Sequence, residues 1–357
     1  MTLEFRAFDD RRDLAQQRHL FELAFPEQRD MPAASEEHYR WKFHGFPAPR
    51  PSYEYAASEG GRLVGYYGAI PYPYQIGGRR MTVGMVCDVM THPEARGKGV
   101  FTELGSFALH EMEAAELDFV SGYPVRREVM GGHLRAGWTI AFEMPMYLQP
   151  LKADGILRTR KLGVLAPAAN LAIAACRRLR FGGSARRRYT VTSGSPGEIL
   201  TSDAFERFIE SWAESVPNHL VKSAAFYRWR LGAPSVDYRV FLAYCDGAVV
   251  AAAIGRAAVL NGIPSYALLD AMVRAGCEDA LATLYRDVER EAREQNAEAV
   301  VTMMTRSSAQ RYRLIRAGFL RSPFVFKLIL RSTSALPIAS ISHEADWHLM
   351  WIDSDDL

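Results

Sequence analysis

Asp88-Val-Met-Thr-His-Pro-Glu-Ala-Arg96-Gly97-Lys98-Gly99-Val100-Phe101-Thr102-Glu103-Leu104 is the stretch on which the reading of this chain turns. A strand ends, a proline-containing turn follows, and an Arg-Gly-Lys-Gly segment opens a helix. The helix is expected because Val100, Phe101, Leu104, Phe107, Ala108, Met112 and Ala115 recur every three to four residues, one apolar face. Two glycines let the backbone approach a ligand closely. The free N–H groups of a helix's first turn, reinforced by its macrodipole, then form an anion site. Arg96 and Lys98 add positive charge, so a pyrophosphate is the natural occupant.

Outward from this loop the chain repeats itself. Tyr39-Arg-Trp-Lys-Phe43 returns as Tyr227-Arg-Trp-Arg-Leu231, Cys87-Asp-Val-Met90 as Leu269-Asp-Ala-Met272, and Arg135-Ala-Gly-Trp138 as Arg316-Ala-Gly-Phe319. Hairpin turns are expected at Gly60-Gly61 and Gly77-Gly78, answered by Asp246-Gly247 and Asn261-Gly262, since two-residue connections require positive φ. Each copy opens with a helical pattern: Leu14, Phe21 and Ala24 in the first, Phe205, Phe208 and Trp212 after a Thr201-Ser202-Asp203 start signal in the second. Strands that begin as hairpins and then alternate with helices imply an α/β fold, an α+β mixed sheet with helices on its faces. The expected division is 1–150 for the first domain, 151–188 for a linker, 189–332 for the second domain and 333–357 for a tail.

A chain of 357 residues, 48% hydrophobic and 24% charged, carries enough apolar material for two cores. Met1-Thr-Leu-Glu-Phe-Arg-Ala-Phe-Asp-Asp lacks the apolar run of a secretory signal, and a cytoplasmic location is expected. Cys87, Cys176, Cys245 and Cys277 are too scattered for a zinc site and are expected to be reduced and mostly buried. The net charge of +2 hides an asymmetry: between Pro150 and Thr190 ten Lys and Arg residues face only Asp154. Within that stretch, Leu162 to Cys176 is apolar but too short to span a bilayer, where about 20 residues are needed. It reads either as a helix packed between domains or as a basic-flanked surface for a membrane or another anionic partner.

The Arg96-Gly97-Lys98-Gly99 segment resembles the coenzyme A loop of the GNAT acyltransferases, whose pattern is Arg or Gln, two residues, Gly, one residue, then Gly or Ala. Phe101 stands where the last small residue is usual. Arg135-Ala-Gly-Trp138, about 40 residues on, looks like the ending of the family's last helix. The resemblance implies two GNAT-like domains in tandem and an acyl-CoA co-substrate, acetyl-CoA or a longer thioester. It also implies an amine acceptor, with no metal and no DNA. Tandem proteins of this kind include some linked to surface polysaccharides, which makes an amino sugar the leading acceptor. The coenzyme would lie on Arg96, Gly97, Lys98, Gly99, Val100 and Phe101, with the thioester oxygen held by an N–H near Val89 or Met90. The second copy keeps only Gly276 and places Glu278 and Asp279 where phosphate would sit, so it is not expected to bind the coenzyme.

Asp88, just ahead of the loop, is the candidate base, with pairing to a neighbouring Arg as the structural alternative. His133 occupies the position where the family often places a Tyr acid, four residues before Gly137. Gly122-Tyr123-Pro124 resembles the strand end that contacts pantetheine, and Arg126 and Arg127 are candidates to hold an acidic acceptor. Two other readings predict different behaviour. A Fem-like aminoacyltransferase would bind tRNA through the basic linker and need no coenzyme A, and a silent module would bind acyl-CoA without turnover.

Overall fold

A computed structural model describes residues 3–159, 161–181, 188–200, 202–334, 337–341 and 343–354. Arg160, Arg186, Arg187 and the last residues of the tail lie outside the described residues. The chain separates into two compact units. The first comprises Met1–Phe142, Gly232–Ser235 and Phe326–His343; the second comprises Glu143–Leu231, Val236–Val325 and Glu344–Leu357.

Unit 1 begins with β1 (Leu3–Ala7), α1 (Asp10–Ala24) and the single turn α2 (Glu36–Tyr39), which runs on into a π-helical turn at Arg40–His44. Then come β2 (Tyr53–Glu59), β3 (Arg62–Ile76), β4 (Arg79–Thr91), α3 (Val100–Ala114), β5 (Phe119–Gly122), α4 (Arg127–Arg135) and the first part of β6 (Thr139–Pro150). The order β1-β2-β3-β4 is antiparallel throughout, β4 and β5 are parallel, and β5 pairs antiparallel with residues 329–332. The hairpin turns fall at Gly60-Gly61 and Gly77-Gly78, all four with positive φ. Helix α3 buries Val100, Leu104, Ala108, Leu109 and Met112 against the sheet, in a core that includes Tyr67, Val86, Val120 and Trp138.

Unit 2 holds the rest of β6, α5 (Asp154–Thr159), α6 (Ala166–Phe181), β7 (Thr190–Gly194), α7 (Pro196–Ile199), α8 (Asp203–Ala213), β8 (Asn218–Leu220) and α9 (Ala224–Arg230). It continues with β9 (Arg239–Cys245), β10 (Ala248–Leu260), β11 (Ile263–Val273), α10 (Ala280–Glu294), β12 (Ala299–Met303) and α11 (Arg306–Arg311). It ends with the first half of β13 (Leu320–Ser332) and the two-residue β14 (Trp347–His348). Its pairing repeats that of unit 1: β7-β9-β10-β11 antiparallel, β11 parallel to β12, and β12 antiparallel to β6. Ser202 caps α8 by accepting from the Phe205 amide, as the sequence signal predicted. Each unit is a mixed, mostly antiparallel sheet flanked by helices. In each, the sixth strand comes from outside its own repeat: 329–332 beside β5, and 146–150 beside β12.

The cysteines depart from expectation. All four are free, but only Cys87 is buried, and Cys176 on α6 is exposed.

Candidate functional site

In unit 1 the parallel pair β4–β5 is in register from Val83–Phe119 to Val86–Gly122 and then parts. β4 continues to Thr91 paired to β3 alone, through a bulge where Tyr67 faces both Asp88 and Val89. Asp88 takes φ +50, a conformation that Asp accepts more readily than most residues. The bulge at Asp88 and Val89 follows closely on the last β4–β5 pair, Val86–Gly122.

The loop beyond is exposed from Arg96 to Gly99. Gly97 and Gly99 have φ +75 and +87, and Gly99 is the N-cap of α3. The Thr102 and Glu103 amides both donate to the Gly99 carbonyl at 3.0 Å, and the Lys98 amide makes a long bond to Ala95 at 3.4 Å. The amides of Gly97, Gly99, Val100 and Phe101 have no acceptor among the described residues. These four donors stand at the positive end of a fifteen-residue helix, with Arg96 and Lys98 beside them, an arrangement that favours an anion. A Cβ at Gly97 would meet nothing within 4 Å, whereas one at Gly99 would stand 2.6 Å from Glu103 Oε1.

Phe101, the departure from the family pattern, is accommodated by glycine on α4. A Cβ on Gly132 would fall 2.7 Å from Phe101 Cε1, so only glycine lets the ring lie there. His133 completes the packing, edge-on to Phe101 with centroids 5.1 Å apart and to Trp138 at 5.2 Å. Burial pushes its proton affinity down to about 4, so the imidazole is neutral at physiological pH. No contact joins His133 to Asp88 among the described residues.

Asp88 belongs to a different cluster, on the face of the sheet carrying α1 and α2. Lys42 Nζ donates to Asp88 Oδ1 at 2.9 Å, so the pairing partner is a lysine rather than the arginine expected. Burial alone would push the Asp88 carboxyl up; Lys42, with Arg18 and His38, outweighs it and holds the group below its ordinary value. Beside it, the Tyr39 and Tyr66 hydroxyls each donate to Glu54 Oε2 at 2.6 Å, and Ser52 donates to Oε1. Arg18 lies against the rings of Phe21 and Tyr39, and its buried Nη2 has no hydrogen-bond partner among the described residues. Sequence reasoning missed Lys42, Glu54, Tyr66 and Arg18. The available signal was Tyr39-Arg-Trp-Lys-Phe43, read only as a mark of the repeat, whose π-helical turn carries Lys42. Arg126 is taken by Glu27 at 2.7 Å and by the Phe25 ring; the side chain of Arg127 lies outside the described residues.

Unit 2 parts its strands at the corresponding place, since β11 and β12 pair only from Ser265–Ala299 to Ala267–Val301. Here the opening is filled by the chain's own C-terminal segment. Met350 bridges Met304 through the backbone, its sulfur accepts from the Ala271 amide at 3.1 Å, and Leu349 to Ile352 are buried. Asp270, the counterpart of Asp88, is fully buried, bonded to both Lys222 Nζ and Tyr227, with His348 Nε2 at 3.2 Å.

These features define a class. Residues 8–141 match the family model described as "Acetyltransferase (GNAT) domain", and the chain has the fold of the GNAT superfamily. A GCN5-related N-acetyltransferase from Anabaena variabilis ATCC 29413 aligns with TM-score 0.64 at 12% identity, over 93% of this chain and 73% of that one. A GCN5-related N-acetyltransferase from Kribbella flavida aligns with TM-score 0.59 at 14% identity, over 93% and 71%. Saccharomyces cerevisiae N-myristoyltransferase with bound myristoyl-CoA aligns with TM-score 0.61 at 12% identity, over 93% and 79%. At these identities the likeness is one of fold. A comparison with curated protein sequences gave no match.

Proposed function

We propose that unit 1 is an acyl-CoA-dependent N-acyltransferase, most simply an acetyltransferase, and that unit 2 binds no coenzyme. The observation that carries this reading is the set of four unengaged amides at Gly97, Gly99, Val100 and Phe101, at the end of a parted strand pair. A pyrophosphate on those amides directs the pantetheine arm into the opening. There the N–H groups near Val89 or Met90 face the thioester oxygen as it gains negative charge.

The acceptor approaches from the Asp88 face. Its ammonium must lose a proton before the nitrogen attacks, and Asp88 is the carboxylate placed to receive that proton, directly or through water. Lys42 keeps Asp88 ionised at neutral pH at the expense of basicity, so it orients the carboxylate as well as charging it. His133, neutral and walled in by Phe101 and Trp138, supports the loop; as an acid toward the departing thiolate it has little proton to give above pH 5. The leading acceptor class is an amino sugar or a surface-polysaccharide precursor, on the strength of the resemblance. The filled opening and the carboxylates at Glu278 and Asp279 both support coenzyme binding by one unit only.

The test is release of free thiol from acetyl-CoA, followed across a panel of amino sugars, with Asp88→Asn and His133→Ala compared over pH. Acceptor-dependent release that Asp88→Asn reduces at least about 100-fold, the low end of what a positioned base contributes, supports the reading. Transfer from aminoacyl-tRNA without coenzyme A would replace it with the Fem-like alternative, and tight binding without turnover on any amine would leave a sensor.

A further inference from the structure

Helix α6 and the turn before it are amphipathic in the wrong sense for a surface helix. Every exposed position between Pro167 and Cys176 is apolar: Pro167, Ala168, Leu171, Ala172, Ala175 and Cys176. Asn170, the polar residue in that span, is turned toward the body of unit 2, where it accepts from the Ala153 amide and donates to Asp154. The turn adds Val164, 90% exposed, and Leu171 is 74% exposed. In water such a face gains nothing from exposure, and clustered exposed apolar residues of this kind mark a docking surface. Basic residues frame it: Lys161 and Arg158 on one side, and Arg178 at the helix's C-terminal end, all exposed, with Arg177 beside it paired to Glu289 at 3.6 Å. Asp154 is already engaged by Asn170. No described helix is long and apolar enough to cross a membrane.

We infer that this face docks on the surface of an anionic lipid bilayer, α6 lying in the headgroup plane with Val164 and Leu171 among the acyl chains. A bilayer supplies both things the face requires, apolar depth and negative charge. A second copy of the chain would bring the same basic rim against this one and be repelled. A nucleic acid would satisfy the arginines but leave the apolar face in water. The face belongs to unit 2 and the loop proposed for the coenzyme to unit 1, so the inference stands apart from the proposed activity.

Flotation of the full chain with phosphatidylcholine vesicles, with and without phosphatidylglycerol, tests it. The wild type should float with the anionic vesicles, less so as salt is raised. Val164→Ser with Leu171→Ser should lower the partition coefficient by about tenfold or more, given what buried apolar groups contribute to interfacial binding. Arg178→Glu should lower it only on anionic vesicles. Both sites are exposed, and an unchanged melting curve confirms that the variants fold. Leu171→Trp should shift its emission to the blue on anionic vesicles and not in their absence. Failure to float, flotation unaffected by the double serine variant, or a dimer that this variant dissolves would each overturn the inference.

Discussion

Removing the Lys42 ammonium while leaving Asp88 in place perturbs the candidate catalytic carboxylate most informatively. The two side chains are 8% and 15% exposed, so water does little to replace the lost partner. Breaking a buried pair from one side costs about 3–5 kcal/mol, and the nearby Arg18 places Lys42→Met at the low end, about 3 kcal/mol. Asp88→Asn tolerates the same positive φ, and the double variant leaves neither member of the pair charged. Urea denaturation of the four proteins should therefore give a coupling energy of about 2 kcal/mol, favouring the double variant over the sum. The pH dependence follows in sign. In the wild type the depressed carboxyl contributes stability above the ordinary carboxylate range and loses it as pH falls. Without Lys42, burial dominates, the group rises, and the penalty of Lys42→Met shrinks as the pH is lowered from 7 to 4. The acidic limb of kcat/KM should move to higher pH in the same variant. A coupling energy below about 0.5 kcal/mol, or an acidic limb that does not move, would refute the argument.

Gly132→Ala should destabilise unit 1 by about 1–3 kcal/mol, because its Cβ would meet the Phe101 ring; Phe101→Val should recover most of that loss in thermal melting. In unit 2, Asp353 shares the Lys222 ammonium with Asp270, and burial pushes its carboxyl up to about 6 while Asp270 is held down at about 2. A raised carboxyl contributes stability below its unfolded value and loses it as pH rises through about 6, so Asp353→Asn should raise the melting temperature at pH 8 and leave it unchanged at pH 4. Equal shifts at both pH values would remove Asp353 from that role.

The sequence carried the elements whose causes are local. The hairpin turns at Gly60-Gly61 and Asn261-Gly262, the Ser202 cap and the apolar stripe of α3 depend on neighbouring residues, and each stands where the pattern put it. The positive-φ glycines and the helix start at residues 97–100 were legible for the same reason, since glycine conformation and a helix terminus are properties of a few consecutive residues. What could not be read depends on partners far along the chain. The strand at 329–332 joins Gly122 across some 200 residues, and Met350 reaches Ala271 across 79. His133 drew attention for its spacing, but its environment is set by Phe101 and Trp138 from separate elements. Lys42 was visible as a letter of the repeated motif; its pairing with Asp88, 46 residues away, was not.

The coenzyme loop itself is best tested by titration calorimetry with acetyl-CoA on the wild type and on Gly97→Asp. Position 97 faces open space and Asp tolerates its positive φ, so the variant adds a charge without the collision that a side chain at Gly99 would make with Glu103. The account predicts one site per chain in the wild type and a loss of affinity of at least about tenfold in the variant, with the melting temperature little changed. Undiminished binding by Gly97→Asp, or two equivalent sites per chain, would contradict it.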